Sequence, residues 1–539
     1  MTAALAGLVL LAIAGGLIAI GVRAWRGRNE QEDHGGLDLI PYLILALAVG
    51  IAGFSLSRLA RASLTPDRFA GRPTGEIAAA LAGLVVAAPV AYLLWRRQVG
   101  RRKIYPHNPG WPIYLSVIEV VFLTAFLVSV AQIADALTST AITATWPDLL
   151  VYGGIVAFHW RAERREPPYG DAGELPRLIG SGVSAIALTV GAIGTLTWLL
   201  SEAYESIGPT ITIPEPAVPL ALTLVGAPIW AWRWLPAWRD ETSVFRSLYL
   251  GAVTALSLAV AIGAAVTATA VLLSYLLGQA GPAAEHFSSY PPALAFGIVG
   301  GALWIHHRRR LGPGRTGALR GYEYTMAAGG LAGLIGAAVA LIELAFSQRL
   351  AGDATGEGLI ALGCAAVAAG WVWLWFWRKV QAAPREDEIR ALQRRIYLIG
   401  MTVVTGLTAA SALIGALVVV FRAVLGETED TIDSLRFPLS LAVVSGLAAW
   451  HLFTQIRADS VGLRRVEVAP FTVTVICSHP GNITTLFPRE ATTRVLYRAD
   501  AAGIVSDEMA AAIVAEVGNS SSLVWVDDTG YRIAPARES

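Results

Sequence analysis

The chain has 539 residues, 55% of them hydrophobic and only 15% charged, with a net charge of +1 and a mean hydropathy of +0.56. A soluble domain carries about 25% charged residues; the shortfall excludes a conventional soluble protein and a disordered chain, because too little charge is present to coat so much apolar surface. The near-zero net charge supplies no global field for nucleic acid, and two cysteines, Cys364 and Cys477, are too few for a disulfide framework or a thiolate cluster.

A helix needs about 20 apolar residues to cross the hydrocarbon core. Such blocks predict about thirteen spans, near residues 3–22, 39–56, 77–94, 112–137, 149–160, 178–200, 217–234, 245–277, 292–305, 324–346, 359–377, 397–425 and 439–453. Each block is continuous rather than alternating, which selects helices over a barrel. The first block has no Lys or Arg before it, and its basic flank, Arg23, Arg26 and Arg28, follows it. It therefore reads as an uncleaved helix with the N-terminus outside.

Assigning the loops alternately places 29 basic residues on one side and 7 on the other, with the last five in the tail and Arg233, Arg246 and Arg422, at span ends, counted with the adjoining loops. The positive-inside rule makes the Arg-rich side cytoplasmic. One loop disagrees, since Arg58, Arg61, Arg68 and Arg72 fall on the outer side. Of the 41 basic residues only Lys103 and Lys379 are lysines, a bias that fits a GC-rich bacterial genome.

The inner ends of alternate spans look alike. Trp95-Arg96-Arg97, His159-Trp160-Arg161, Trp230-Ala231-Trp232-Arg233, Trp304-Ile305-His306-His307-Arg308, Trp375-Phe376-Trp377-Arg378 and Trp450-His451 recur at intervals of about 65 to 75 residues, the mark of a repeated unit. The unit is a helical hairpin, and the starts also rhyme, as in Arg320-Gly321-Tyr322 and Arg394-Arg395-Ile396-Tyr397-Leu398. Six hairpins and a lone first helix account for the spans.

This repeat resembles a bacterial membrane family known only as a domain of unknown function, DUF5671. Arg394 to Arg457 carries the resemblance best, then Arg246 to Arg310, and the units together cover most of residues 37 to 457. No Arg-Arg pair precedes the unit at Leu178. The resemblance implies a multi-helix membrane repeat and brings no substrate, cofactor or catalytic residue with it.

After Arg465 the pattern changes. Phe471–Ile476 alternates with period two and is rich in β-branched residues, a strand signature, and residues 494–497 predict another. Ser506 is placed to cap a helix running to Val517, with Asp507 and Glu508 in its first turn and Gly518-Asn519 as its stop. Residues 523–526, the turn Asp528-Thr529-Gly530 and residues 531–533 form a hairpin pattern. The predicted fold class is thus an all-α polytopic membrane protein of repeated helical hairpins with a small C-terminal α+β domain. Its divisions are residues 1–36 (first helix and basic loop), 37–460 (membrane domain) and 461–539 (cytoplasmic domain).

One residue stands out chemically. Glu119 lies two turns beyond Trp111-Pro112, about 10 Å into its span at about 1.5 Å per residue. A carboxylate at that depth is by default a functional polar site for a proton or cation; the alternative is a hydrogen-bonded glutamate fixing helix contacts, and no partner is recognisable. Asp135, Glu202, Glu205 and Glu343 fall near outer helix ends, as solvating groups or a cation-gathering ring. His159, His306, His307 and His451 alternate with Trp beside Arg, as an interfacial belt does, although histidines from different helices also ligate metal or haem. Cys477-Ser478-His479 reads as a capped strand end, Gly329, Gly330, Gly333 and Gly336 as one packing face, and Pro89 and Pro228 as kinks. No nucleotide-binding loop or hydrolase motif is present, so no enzyme, cofactor, metal or catalytic residue is expected.

Two functions follow. The first is a membrane scaffold or sensory module in the bacterial inner membrane, its partners the lipid bilayer and a cytoplasmic protein bound through residues 466–539, without nucleic acid. The alternative is a secondary transporter or channel using Glu119 in an intramembrane polar site. The topology is testable directly: a reporter fused after Arg465 is expected to be active only in the cytoplasm, and activity confined to the external side overturns the assignment.

Overall fold

The structure is a computed structural model describing residues 39–64, 74–102, 108, 110–138, 145–165, 167, 171–205, 215–235, 243–278, 282–312, 314, 316–346, 354–426, 431–466, 471–487, 491–497, 503–518 and 521–536. The expected first span, 3–22, lies outside the described residues. The apolar blocks form long helices in chain order: α1 (Ile40–Leu64), α2 (Thr74–Arg102), α3 (Gly110–Thr138), α4 (Trp146–Arg165), α5 (Leu175–Glu205) and α6 (Ala217–Trp234). They continue as α7 (Val244–Leu276), α8 (Tyr290–Arg308), α9 (Gly317–Phe346), α10 (Ala354–Gln381), α11 (Leu392–Val424) and α12 (Thr431–Val466).

Among the described residues nine helices are long and apolar enough to cross a membrane, where about thirteen were expected. The chain is in this sense a multi-pass membrane protein. The other three predicted spans are occupied by α4, α6 and α8, which have only 20, 18 and 19 residues and carry charged, Pro or His residues.

Local signals set the helix ends. Ser243 caps α7, its Oγ accepting from the Arg246 amide at 3.2 Å, and α7 stops where Gly278 adopts φ +72°, a conformation that costs glycine nothing. Pro89 and Pro228 lie inside α2 and α6.

The chain forms two compact units, one of residues up to Val380 with Leu407–Gly446, the other of Gln381–Gly406 with Leu447 onward. In the first unit the helices pack in a recurring pattern of four. α1 packs on α2, α3 on α4, and α4 returns to α1; likewise α5 packs on α6, α7 on α8, and α8 returns to α5. The third helix of each quartet then meets the first of the next, α3 on α5 and α7 on α9. The core of the first quartet is aromatic and aliphatic, with Tyr42, Leu45, Tyr114, Leu115, Phe122 and Leu123 at most 1% exposed.

In the second unit Arg394 of α11 grips Asp459 of α12 through both oxygens, at 2.6 and 3.0 Å. The C-terminal domain there has strands β1 (Phe471–Cys477), β2 (Ala491–Tyr497), β3 (Ser522–Asp527) and β4 (Gly530–Pro535), with helix α13 (Asp507–Val517). Sheet order is β2-β1-β3-β4; β1 pairs with β2 and β3 in parallel, and β3 with β4 antiparallel. The residues expected to cap, stop and turn do so: Ser506 Oγ accepts from the Met509 amide, Gly518 ends α13 at φ +58°, and Asp527 Oδ1 accepts from the Thr529 amide at 2.8 Å in the hairpin turn. The parallel pairing was not expected, because β2 and α13 reach their positions through crossovers that leave no sequence mark. One face of the sheet packs Val473, Val475, Cys477, Val524 and Val526 against Ala510, Ile513 and Val517.

Cys477 is buried in that core, and burial pushes its thiol up from the ordinary value, lowering its thiolate fraction at neutral pH. A maleimide is therefore expected to leave Cys477 unlabelled in the native full-length protein near pH 7 and to label it after denaturation, as scored by mass spectrometry of the tail peptide. Rapid native labelling contradicts this packing.

Candidate functional site

Glu119 sits where α3 widens into a π-turn over Glu119–Leu123, a local insertion that recurs at functional positions. The residue is 3% exposed. Its Oε1 accepts from Arg233 Nη2 of α6 and from Trp160 Nε1 of α4, the latter at 2.9 Å. Arg233 is itself 4% exposed and donates its Nη1 to Glu163 Oε2 of α4 at 2.8 Å. Glu163 then accepts from Arg177 Nε of α5 at 3.3 Å, and the Arg177 side chain is 43% exposed.

The result is an alternating row, Glu119, Arg233, Glu163, Arg177, that ties four helices and runs from the bundle interior to its surface. Two carboxylates and two guanidiniums balance in charge. Trp160 and Trp232 flank the row, with the Arg233 guanidinium 5.7 and 5.5 Å from their ring centroids and Arg164 4.7 Å from Trp232, so the cations also face aromatic π-density. The packing depends on Gly180 of α5, where a Cβ would collide with the Glu119 carboxylate. Glu119 Oε2 and Arg233 Nε remain buried without a hydrogen-bond partner.

Sequence reasoning counted Arg233, at the end of the 217–234 span, and Arg177 with the inner-side basic residues and did not single out Glu163. Arg233 corrects this: it is the last arginine of a Trp-flanked helix end, identical in type to surface-facing Trp-Arg ends, and only the packing of α6 against α3 and α4 turns it inward. Burial of Glu119 in turn explains why no partner was recognisable, since its partner lies 114 residues away.

A second tie lies at the opposite end of α4. Asp148, 1% exposed, accepts from Ser57 Oγ and from Arg61 Nε of α1, the latter at 2.6 Å. One of the arginines that disagreed with the positive-inside count is therefore neutralised by a buried carboxylate.

Two of the four histidines expected in an outward-facing belt turn inward. His159 and His307 are 4% and 0% exposed, and each Nδ1 bonds the carbonyl four residues earlier, at 2.8 and 2.9 Å. That contact sets Nδ1 as the donor, leaving His159 Nε2 to accept from Tyr114 Oη at 2.6 Å. Each packs in a Trp–Tyr–His triad: Trp95 lies 6.2 and 5.7 Å from Tyr114 and His159, and Trp234 lies 5.0 and 5.4 Å from Tyr249 and His307. His306 accepts from Trp234 Nε1 at 3.2 Å.

The remaining candidates are dispersed. Asp135 and Glu202 are exposed, Glu205 and Glu343 partly buried. Of the glycines expected to share a face, Gly330 and Gly333 approach Trp373 and Ala369 of α10, whereas Gly329 and Gly336 face open space. Ser478 donates to the Gly503 carbonyl, and His479 is exposed while Cys477 points into the core. Among the described residues no three His, Cys, Asp or Glu side chains converge on a metal position.

Residues 174–302 and 320–447 each match the family model described as Domain of unknown function (DUF5671). The DUF5671 model thus matches the chain twice. The first match runs from α5 into α8 and the second from α9 into α12. No curated protein and no solved structure matches the chain. The DUF5671 unit is thus four helices, two of the hairpins visible in sequence, and the row at Glu119 connects the helices before the first matched copy to that copy.

Removing one partner of a buried ion pair costs about 3–5 kcal/mol. Arg233→Leu, which strands two carboxylates, is expected to lower unfolding stability in mixed micelles by that amount. Thr254→Val is expected to change it by about 1 kcal/mol or less, because the Thr254 hydroxyl only bonds its own helix at Leu250. Equal effects would show that the row carries no stability.

Proposed function

We propose that the protein is a non-catalytic sensory scaffold of the bacterial inner membrane, with its N-terminus outside, its DUF5671 quartets anchoring it, and its C-terminal α/β domain recruiting a cytoplasmic protein. The observation that carries this reading is the closure of Glu119. The carboxylate is capped by Arg233 and Trp160 and packed on Gly180, so the one intramembrane carboxylate singled out by the sequence ties helices together instead of lining a route. Transport requires an intramembrane charge that faces a water-filled cavity, and both sides of this one are occupied by protein.

The recruiting surface in this reading is the β2 edge of the sheet. Leu496 and Tyr497, 53% and 72% exposed, lie on an edge strand, the arrangement that accepts an added strand or an apolar segment.

The test uses liposomes holding a pH-sensitive dye, with wild type, Glu119→Gln and a chain lacking residues 466–539 reconstituted side by side. A scaffold leaves the proton and cation leak equal in all three and equal to protein-free vesicles. A leak present in wild type and lost in Glu119→Gln overturns the scaffold in favour of a transporter or channel.

A further inference from the structure

The helices before the matched copies repeat the same unit. α1–α4 pack in the same order as α5–α8, and the Trp–Tyr–His triad recurs as Trp95, Tyr114 and His159 in one and Trp234, Tyr249 and His307 in the other. Tyr397 and His451 stand at the matching places in α11 and α12, with Arg394-x-x-Tyr397 repeating Arg246-x-x-Tyr249. Residues 40–165 are therefore a third, diverged quartet, and the chain contains two seams between quartets, α3 on both α5 and α6, and α7 on α9.

The second seam is an internal control for the first. Counting from the Tyr of each triad, Glu119 corresponds to Thr254, which is fully buried and bonded only to its own helix. Counting from the His, Glu163 corresponds to Leu311, also buried. Counting from the Trp-Arg helix end, Arg233 corresponds to Arg378, which is exposed. α7 has no π-turn where α3 has one. At these matched positions the second seam holds no such row, although α9 buries Glu323, so the Glu119–Arg233–Glu163 arrangement is particular to the first seam. Buried ion pairs give little net stability over apolar packing, and an intramembrane charge is by default a candidate for use.

We propose that the first seam is a proton-binding site, in which Glu119 takes up a solvent proton when the seam opens and releases Arg233. Two features fit this exchange. Glu119 Oε2 is buried with no partner, so a lone pair is available to form the O–H bond. Arg233 keeps its second carboxylate, Glu163, at 2.8 Å, so its release from Glu119 leaves it paired. The step balances simply: a carboxylate and a proton become a carboxylic acid, Arg233 stays charged, and the row gains one positive charge. The groups facing Glu119 are Arg233 of α6, Trp160 and Glu163 of α4, and Arg177 of α5 beyond Glu163; Arg164 of α4 faces the row through Trp232. Protonation removes the tie between α3 and α6 while leaving that between α4 and α6, which loosens one seam only. This supplies the input of the sensory reading and rests on it, but its test needs neither partner nor flux.

Full-length protein in phosphatidylcholine nanodiscs is titrated from about pH 9 to about pH 4, a range that brackets perturbed carboxyl groups. Infrared difference spectra report carboxyl protonation, and tryptophan emission reports Trp160, the indole that donates to Glu119. Wild type is expected to gain a protonated-carboxyl band that Glu119→Gln loses and Thr254→Val keeps, with an emission change at the same midpoint. Trp160→Phe is expected to lose that emission change and keep the band, which carries the test even if Glu119→Gln fails to fold. A carboxyl band identical in wild type and Glu119→Gln, or an emission change that survives Trp160→Phe unaltered, overturns the proposal. The scaffold stands if the titration fails and the leak assay does not, so the two failures are distinguishable.

Discussion

In a bilayer the surroundings of a helix are as apolar as its neighbours, so helices gain no hydrophobic drive from packing and must be held by close approach and by polar ties. Both devices recur in this chain. A Cβ at Gly226 of α6 would lie 2.8 Å from the Leu188 nitrogen of α5, one at Gly300 of α8 3.0 Å from the Ser257 carbonyl of α7, and one at Gly330 of α9 2.6 Å from the Trp373 nitrogen of α10. These contacts bring backbones together inside each hairpin. Polar ties act both between and within hairpins: Arg233 links α6 to α3 and α4 and Asp148 links α4 to α1, while Tyr114 links α3 to α4 through His159 and Arg394 links α11 to α12 through Asp459.

The hairpin was visible in sequence and the quartet was not. Trp with Arg or His near it marks the end of each returning helix, residue types of a membrane interface. The Tyr–His pairing recurs only at every second hairpin, and it joins residues 45 positions apart in the first quartet, so a period of about 65 to 75 residues conceals it. The family matches begin at 174 and 320, an offset of two hairpins, and agree with the longer period.

Helix positions, the Ser506 cap and the final hairpin were legible because each rests on local chemistry: apolar length, a side-chain acceptor at N-cap, a turn that Asp527 closes. The depth of Glu119 was legible for the same reason. Its surroundings were not. Arg233, Glu163 and His307 have the residue types of a polar helix end, and only long-range packing decides which helix ends turn inward. The parallel order of β1, β2 and β3 escaped for a related reason, since strand pairing across a crossover depends on no residue in the strands themselves.

The two seams sharpen what burial of charge means here. At the second seam the matching positions hold Thr254, whose hydroxyl is satisfied by its own backbone, and the aliphatic Leu311. At the first seam the same positions hold Glu119 and Glu163, Arg233 is drawn in to neutralise both, and α3 adopts a π-turn beside them. Each change requires the others: either carboxylate alone would be stranded without Arg233, and Arg233 could not be buried without at least one carboxylate. Gly180 completes the set, because any side chain there would displace the Glu119 carboxylate. Four coupled differences from the matching positions of the second seam, two carboxylates, a buried guanidinium and a π-turn, therefore stand or fall together.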